Sequence, residues 1–311
     1  STPKPSSAAS DVYKRQAFNR KRNYIPAEIR QASRFKVLFS FDSPESGKTL
    51  LKLAHAFVAK MNNNAMVTAI HVPQSSEIHT FNLQEYEQEA FKPVLNEAEA
   101  LGQHVTTLFK ATSDVDSDIA TVANKGEFDL VLIDIGQSIF EGTLLGKILG
   151  FTTRIINPEN LLNTFTGKEK LFENSPFDDK TQQILAKTQT PVGIFVDKEF
   201  KSTDRIFLTL FDENDAFLIE YAHKLIANVG SQVTILDADG FVKNNPHIKE
   251  SIRSVEQVVP NHIQLLSQKK LEKEFLQTQD LLIISKESWK KQVEHGSEWL
   301  NTTPSLLIIK K

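Results

Sequence analysis

The chain has no cysteine among its 311 residues, which removes disulfide frameworks, thiolate zinc sites and cysteine nucleophiles together. That absence is compatible with a reducing compartment, and cytoplasm is the default expectation. No apolar run approaches the roughly 20 residues that a bilayer-crossing helix needs, so no transmembrane helix is expected in these residues. Neither sign of charge dominates: 36 basic against 39 acidic side chains leave a formal charge of -3, and nothing calls for a nucleic-acid partner. The eight histidines show no i, i+4 pair and no HExxH, so a zinc site is not expected. No Gly-x-Ser-x-Gly elbow occurs, which leaves hydrolase chemistry without a nucleophile. Aromatic content is mostly phenylalanine, 21 residues set inside apolar runs, the pattern of a core rather than of a base-stacking platform.

What is present is an alternation of short apolar runs and amphipathic stretches. Phe35 to Phe41 has the β-branched and aromatic content of a buried parallel strand. Asp42-Ser43-Pro44 stops it, with Ser43 placed to cap a helix and Pro44 suited to its first position. Leu50, Leu51, Ala54, Phe57, Val58 and Met61 then recur on one helical face. A second strand is expected over Met66 to Val72, a charged helix over about Asn82 to Leu101, and a third strand over Val105 to Ala111. Asp116 or Ser117 can cap a helix through Asn124, and Asp129 to Ile135 reads as a fourth strand. Such an order implies βαβ crossovers and a parallel sheet covered on both faces.

The second half repeats the order. Arg205 to Phe211 ends in Asp212, and Ala216, Ile219, Ala222 and Ile226 mark a helix. Strands at Gln232 to Asp237, Ile263 to Leu266, Leu281 to Ser285 and Ser305 to Ile309 follow, with helices around Lys270 to Gln277 and Trp289. Internal duplication is the simplest account. The expected organisation is a tail and basic linker over 1–33, a first domain over 34–200, and a second over 201–311. An insertion at about 157–187, containing Asn157-Pro158 and Asn174-Ser175-Pro176, interrupts the first domain before a strand at Pro191 to Asp197. Within the linker, Arg20, Lys21, Arg22 and Arg30 suit either a solvated segment or a juxtamembrane stretch facing anionic lipid. Ser7 to Gln16 is similar to an adapter-derived tail, so the natural protein is expected to begin earlier.

The run Val37-Leu38-Phe39-Ser40-Phe41-Asp42-Ser43-Pro44-Glu45-Ser46, the strand Thr68 to Val72, the strand Asp129 to Ile135 and Leu149-Gly150-Phe151-Thr152-Thr153 resemble a tandem universal stress protein. In particular they resemble the cytoplasmic C-terminal region of Kef-type cation:proton antiporters. The resemblance implies two α/β three-layer sandwiches with parallel sheets, the second degenerate, packed as an intramolecular pseudo-dimer through Val192 to Val196 and Leu306 to Ile309. It also implies an adenine-nucleotide site, for ATP or a relative, made by Asp42, Ser43, Val72, Gly136, Gly150, Thr152 and Thr153.

Nucleotide-binding members of that family carry Gly-x2-Gly-x9-Gly followed by a hydroxyl residue, a loop whose backbone donors hold phosphate. Here Phe140 and Gln137 stand where the first two glycines would be relative to Gly150, and Phe151 replaces the first hydroxyl. A functioning site and a decayed pocket both remain open. Gly47-Lys48-Thr49 invites a Walker-type reading, but Asp42 stands where that pattern needs its first glycine. Asp114, Asp116 and Asp118 alternate like a calcium loop, yet Ile119 and Lys125 occupy its glycine and glutamate positions, and helix capping explains them better. His71 can face a ligand or belong to the core. The second half has no comparable loop after Leu281 to Ser285, so no nucleotide is expected there.

The function expected is therefore a non-catalytic regulatory module at the inner face of the cell membrane. Its partner would be a membrane transporter domain in the same polypeptide, with no nucleic acid and with membrane contact only through the basic linker. A free-standing soluble universal stress protein that binds ATP is the first alternative, and a nucleotide-handling enzyme of the same fold group is the second.

Overall fold

The computed structural model describes residues 34–78, 82–135, 179–237, 239–268 and 270–311. The alternation read from the sequence becomes β1 (Phe35–Ser40), α1 (Pro44–Val58), β2 (Ala65–His71), α2 (Leu83–Leu101), β3 (Val105–Phe109), α3 (Val115–Lys125) and β4 (Leu130–Ile135). After the undescribed stretch come α4 (Asp179–Lys187) and β5 (Val192–Val196). The second half runs β6 (Arg205–Thr209), α5 (Leu218–Val229), β7 (Gln232–Leu236), α6 (Phe241–Asn244), α7 (Pro246–Val258), β8 (Ile263–Leu266), α8 (Lys273–Gln277), β9 (Leu281–Ser285), α9 (Lys286–Glu294) and β10 (Ser305–Lys310).

Local chemistry explains these boundaries. Ser43 caps α1 by accepting from the Ser46 amide while the Ser46 side chain returns to the Ser43 amide, with Pro44 at the first helical position. The cap of α3 is Asp114, which accepts from the Ser117 amide at 3.2 Å. Neither Asp116 nor Ser117, the caps expected from sequence, does so, because the helix starts two to three residues earlier. The helix α7 has no counterpart in the sequence reading. Its signal is Asn245-Pro246: the Asn245 side chain accepts from the amides of His247 and Ile248, and proline takes the first helical position.

All ten described strands form one sheet in the order β3-β2-β1-β4-β5-β10-β9-β6-β7-β8. Every neighbouring pair is parallel except β5 with β10, which is antiparallel. Helices α1, α2, α5 and α7 bury their apolar faces on one side of the sheet, and α3, α4, α8 and α9 on the other. The strands are consequently apolar on both faces. The α/β class with layered parallel sheets expected from the sequence is what the chain adopts.

The cross-strand registers show how deep the repeat runs. In the first half Val37 pairs with both Val67 and Leu130, and Val67 with Val105. In the second, Ile206 pairs with both Val233 and Leu281, and Val233 with Ile263. The side-chain contacts at the strand starts repeat too. Asp129 accepts from the Lys36 amide at 2.7 Å, and Asp280 accepts from the Arg205 amide at 2.8 Å.

Continuing the same count, Val131 pairs with Val192 and Leu282 with Leu306, so Val192 corresponds to Leu306 and Ile194 to Ile308. Across the seam Ile194 faces Ile308, while Val192 faces Lys310 and Val196 faces Leu306. This is the pattern required by a pseudo-twofold axis passing between Ile194 and Ile308. Helices α1 and α5 add a second contact between the halves: Phe57 meets Tyr221 edge-on at 6.1 Å, and Asn228 accepts from the Lys60 amide at 2.9 Å. Because Ile194 and Ile308 are both fully buried at the axis, Ile194→Ala and Ile308→Ala are each expected to cost ~2–5 kcal/mol and to do so about equally, as measured by urea unfolding.

Candidate functional site

In a parallel half-sheet the ligand-facing crevice lies beyond the carboxyl ends of the strands where the order reverses. In the first half that reversal falls between β1 and β4. Asp42 and Ser43 follow β1 there, Val72 follows β2, Asp134 lies at the end of β4, and Asp197 follows β5. Of the residues expected at the site, Asp42, Ser43 and Val72 are thus brought to one edge. Val72 is buried among the apolar residues of the α3 face, so its backbone is what it can offer a ligand. Gly136, Gly150, Thr152 and Thr153 lie outside the described residues.

The residue that sequence reasoning missed is Asp134. Its carboxyl group meets Ser46 of α1, while its Oδ1 is buried without a hydrogen-bond partner. Burial, followed by the like charges of Asp197 and Asp42, pushes its pKa up to about 7. The available signal was an aspartate inside an otherwise apolar strand, Leu130-Val131-Leu132-Ile133-Asp134-Ile135.

The register correspondence shows what became of this edge in the second half. Asp134 corresponds to Ser285, Asp42 to Phe211, Ser43 to Asp212 and Ser46 to Asp215, counted along the chain from the paired strands. Asp212, which follows β6 in the sequence much as Asp42 follows β1, is therefore the counterpart of the capping Ser43. It does the same work, accepting from the Asn214 amide at 2.8 Å. The carboxylate and the hydroxyl at the heart of the edge have exchanged places. Asp215, 1% exposed, accepts from Ser285 Oγ at 2.5 Å, Ser288 Oγ at 2.7 Å and the Phe211 amide at 2.8 Å. With α9 starting directly at Lys286, this edge is filled by its own donors and acceptors.

The remaining candidate residues resolve as structure. His71 is buried, its Nδ1 2.8 Å from the Phe41 carbonyl, its ring stacked on Phe41 at 4.9 Å. A carbonyl only accepts, so Nδ1 carries the proton. Asp114 is the α3 cap, and Asp118 pairs with Lys110 at 2.6 Å. No group of three or more histidine, aspartate or glutamate side chains suited to a metal occurs among the described residues. Gly47 is buried where α1 approaches α2: a Cβ there would sit 2.7 Å from Val94 Cγ2 and 2.8 Å from the Phe41 ring. The glycine thus serves packing, and Lys48 reaches Glu97 at 3.8 Å.

A cleft of about 720 Å³ lies at the opposite, amino edge, lined by His55, Asn62, Gln103 and His104 together with the last residues of α1 and α2. Two helix carboxyl ends present carbonyl oxygens there, the wrong polarity for phosphate.

Among solved structures the chain is similar to the cytoplasmic domain of a prokaryotic cation chloride cotransporter, with a TM-score of 0.50 over 89% of this chain and 95% of that one at 8% identity. It is also similar to a universal stress protein from Archaeoglobus fulgidus DSM 4304, with a TM-score of 0.49 over 89% and 96% at 13% identity. At this identity the first likeness is one of fold. No family model matches the sequence, and no curated protein matches it. No described helix is long and apolar enough to cross a membrane.

Two outcomes follow for this edge. Gly47→Ala is expected to destabilise by ~1–3 kcal/mol despite alanine's better helix propensity, because neither the Phe41 ring nor Val94 can retreat cheaply, and thermal unfolding measures it. Asp134 holds a proton in the folded chain that it lacks when unfolded, so its contribution favours folding most below about pH 4 and is lost as pH rises to about 7. Asp134→Asn is therefore expected to be the more stable form at pH 8, by more than ~1 kcal/mol, with the difference shrinking toward pH 4; paired urea curves across that range measure it.

Proposed function

We propose that the chain is a non-catalytic, cytoplasmic regulatory module of a cation transporter, of the kind attached to Kef-type cation:proton antiporters. Its first half would sense a small ligand, and its second would be a structural partner. The observation that carries this reading is the likeness of fold to a transporter's cytoplasmic domain over nearly the whole of both chains. The unequal carboxyl edges support the division of labour: the second is filled by Asp215, Ser285 and Ser288, whereas the first gathers Asp42, Asp134 and Asp197 around an unsatisfied oxygen.

In this reading an adenine nucleotide binds at the first edge, with Asp42, Ser43 and the Val72 backbone on one side and Gly136, Gly150, Thr152 and Thr153 supplying the phosphate side. Binding regulates a transporter only if the ligand prefers one of two packings of the halves. The seam through Ile194 and Ile308 and the α1–α5 contact are the surfaces such a preference would act on.

Titration calorimetry of ATP against this chain is expected to give heat that Gly150→Asp abolishes; no heat in the wild type would remove the nucleotide from the proposal. The genomic reading frame upstream of Ala17 is expected to encode a series of apolar spans. An initiator methionine close to Ala17 would instead make the protein a free-standing stress protein.

A further inference from the structure

We propose that His71 is a positioning residue of the first edge: its imidazole pins the Phe41 carbonyl where β1 and β2 part, which holds Asp42 at the crevice while the Val72 amide stays open to a ligand. This rests on the reading of that edge as a ligand site, and it gives a task to a side chain that the reading leaves unused.

The β1–β2 ladder stops one rung short of the edge. Ser40 pairs with Ile70, and the Phe41 amide donates to the Ile70 carbonyl at 3.2 Å. In a continuing parallel ladder the next bond would run from the Val72 amide to the Phe41 carbonyl. That bond is not made, and no described residue accepts from the Val72 amide. Alternation along the strand gives its direction. The His71 carbonyl accepts from the Lys110 amide, just past β3, at 3.2 Å, so the backbone groups of Val72 face the β1 side, where Asp42 follows. In a residue only 4% exposed, an amide without a partner destabilises the chain unless an acceptor comes from outside it. A ligand group that accepts a hydrogen bond suits that position.

The Phe41 carbonyl is paired instead with the imidazole of its neighbour strand, His71 Nδ1 donating at 2.8 Å. The carbonyl and the Asp42 amide belong to one planar peptide, so pinning the oxygen fixes the course of the chain into Asp42. The ring has little freedom of its own. It is stacked on Phe41 at 4.9 Å and flanked by Tyr86 at 5.9 Å, Phe109 at 6.1 Å and Phe91, set edge-on, at 6.3 Å. With the proton on Nδ1, Nε2 is an acceptor, and the Tyr86 hydroxyl lies 3.4 Å from it.

The second half ends its ladder at the equivalent rung, Thr209 with Leu236, without such a pin. By register His71 corresponds to Asp237 and Phe41 to Leu210. Asp237 is turned to α6, accepting from the amides of Val242 at 2.8 Å and Lys243 at 3.3 Å, and no described side chain donates to the Leu210 carbonyl. The pin is present where the edge holds an open amide and absent where Asp215, Ser285 and Ser288 fill the edge.

The test compares His71→Phe, which keeps an aromatic ring but has no proton to give, with His71→Asn, whose Nδ2 can donate in place of Nδ1. On the whole chain, amide hydrogen exchange is followed residue by residue without ligand, and ATP is titrated by calorimetry. In the wild type the Val72 amide is expected to exchange about tenfold or more faster than the Phe41 amide, after correction for intrinsic rates. In His71→Phe the released carbonyl is expected to turn to the Val72 amide, slowing its exchange about tenfold and weakening ATP binding about tenfold. His71→Asn is expected to keep both within about threefold of the wild type. His71→Leu takes the place of the phenylalanine variant should that one not fold. Exchange at Val72 as slow as at Phe41 in the wild type, or no difference between the phenylalanine and asparagine variants, would overturn the proposal. Absence of ATP heat in the wild type would remove the nucleotide reading instead, and the exchange comparison would then decide the role of His71 by itself.

Discussion

The antiparallel pairing of β5 with β10 is the constraint on which the rest of the molecule depends. It joins two parallel half-sheets into one, and its register, with Ile194 opposite Ile308, makes the two halves equivalent about an axis in the middle of the core. Both strands are buried on both faces and their paired stretches, Val192 to Val196 and Leu306 to Ile309, carry no polar side chain, so backbone pairing and burial reinforce each other. Because the pairing is antiparallel, the carboxyl edge of one half lies beside the amino edge of the other. Lys198, just past β5, therefore binds Thr303 just before β10. The carboxyl edges of the two halves are thereby kept apart.

The two edges differ, and the difference is physical. In each half a carboxyl group and serine hydroxyl groups lie between the end of the fourth strand and the segment that follows the first. Placing the carboxyl on the helix side, as in Asp215, puts it within reach of the Phe211 amide and two serines, which donate to both of its oxygens. Placing it on the strand, as in Asp134, surrounds it with the carboxylates that follow the neighbouring strands and leaves one oxygen without a donor. The first arrangement closes an edge, and the second leaves a buried carboxyl oxygen unsatisfied.

Much of the architecture was legible in the sequence because it is dictated locally. Apolar runs such as Leu130 to Ile135 and Leu281 to Ser285 announce strands buried on both faces, and Ser43-Pro44 announces a helix start, since cap and proline act over three or four residues. Failures came where local signals compete. The α3 cap was expected at Asp116 or Ser117 because three aspartates alternate there and any of them can accept from an amide. The helix α7 was missed although its signals stand in the sequence: Asn245-Pro246 marks its start, and Ile248, Ile252, Val255 and Val259 recur at helical spacing.

By itself, then, the sequence determined the alternation of strands and helices, the recurrence of that order in the second half, the absence of thiol and disulfide chemistry, and the placing of Asp42 and Ser43 just beyond a strand end. Only the tertiary structure decided which residues of the two halves correspond, because that depends on cross-strand register. A match of one Phe-Asp pair with the other would set Asp42 against Asp212, and the ladder sets it against Phe211. It alone also decided that Asp134 lies beside Ser46, with Asp42 and Asp197 near enough to raise its pKa. Those residues are distant in the chain, and their effect on one another arises from burial and separation in space.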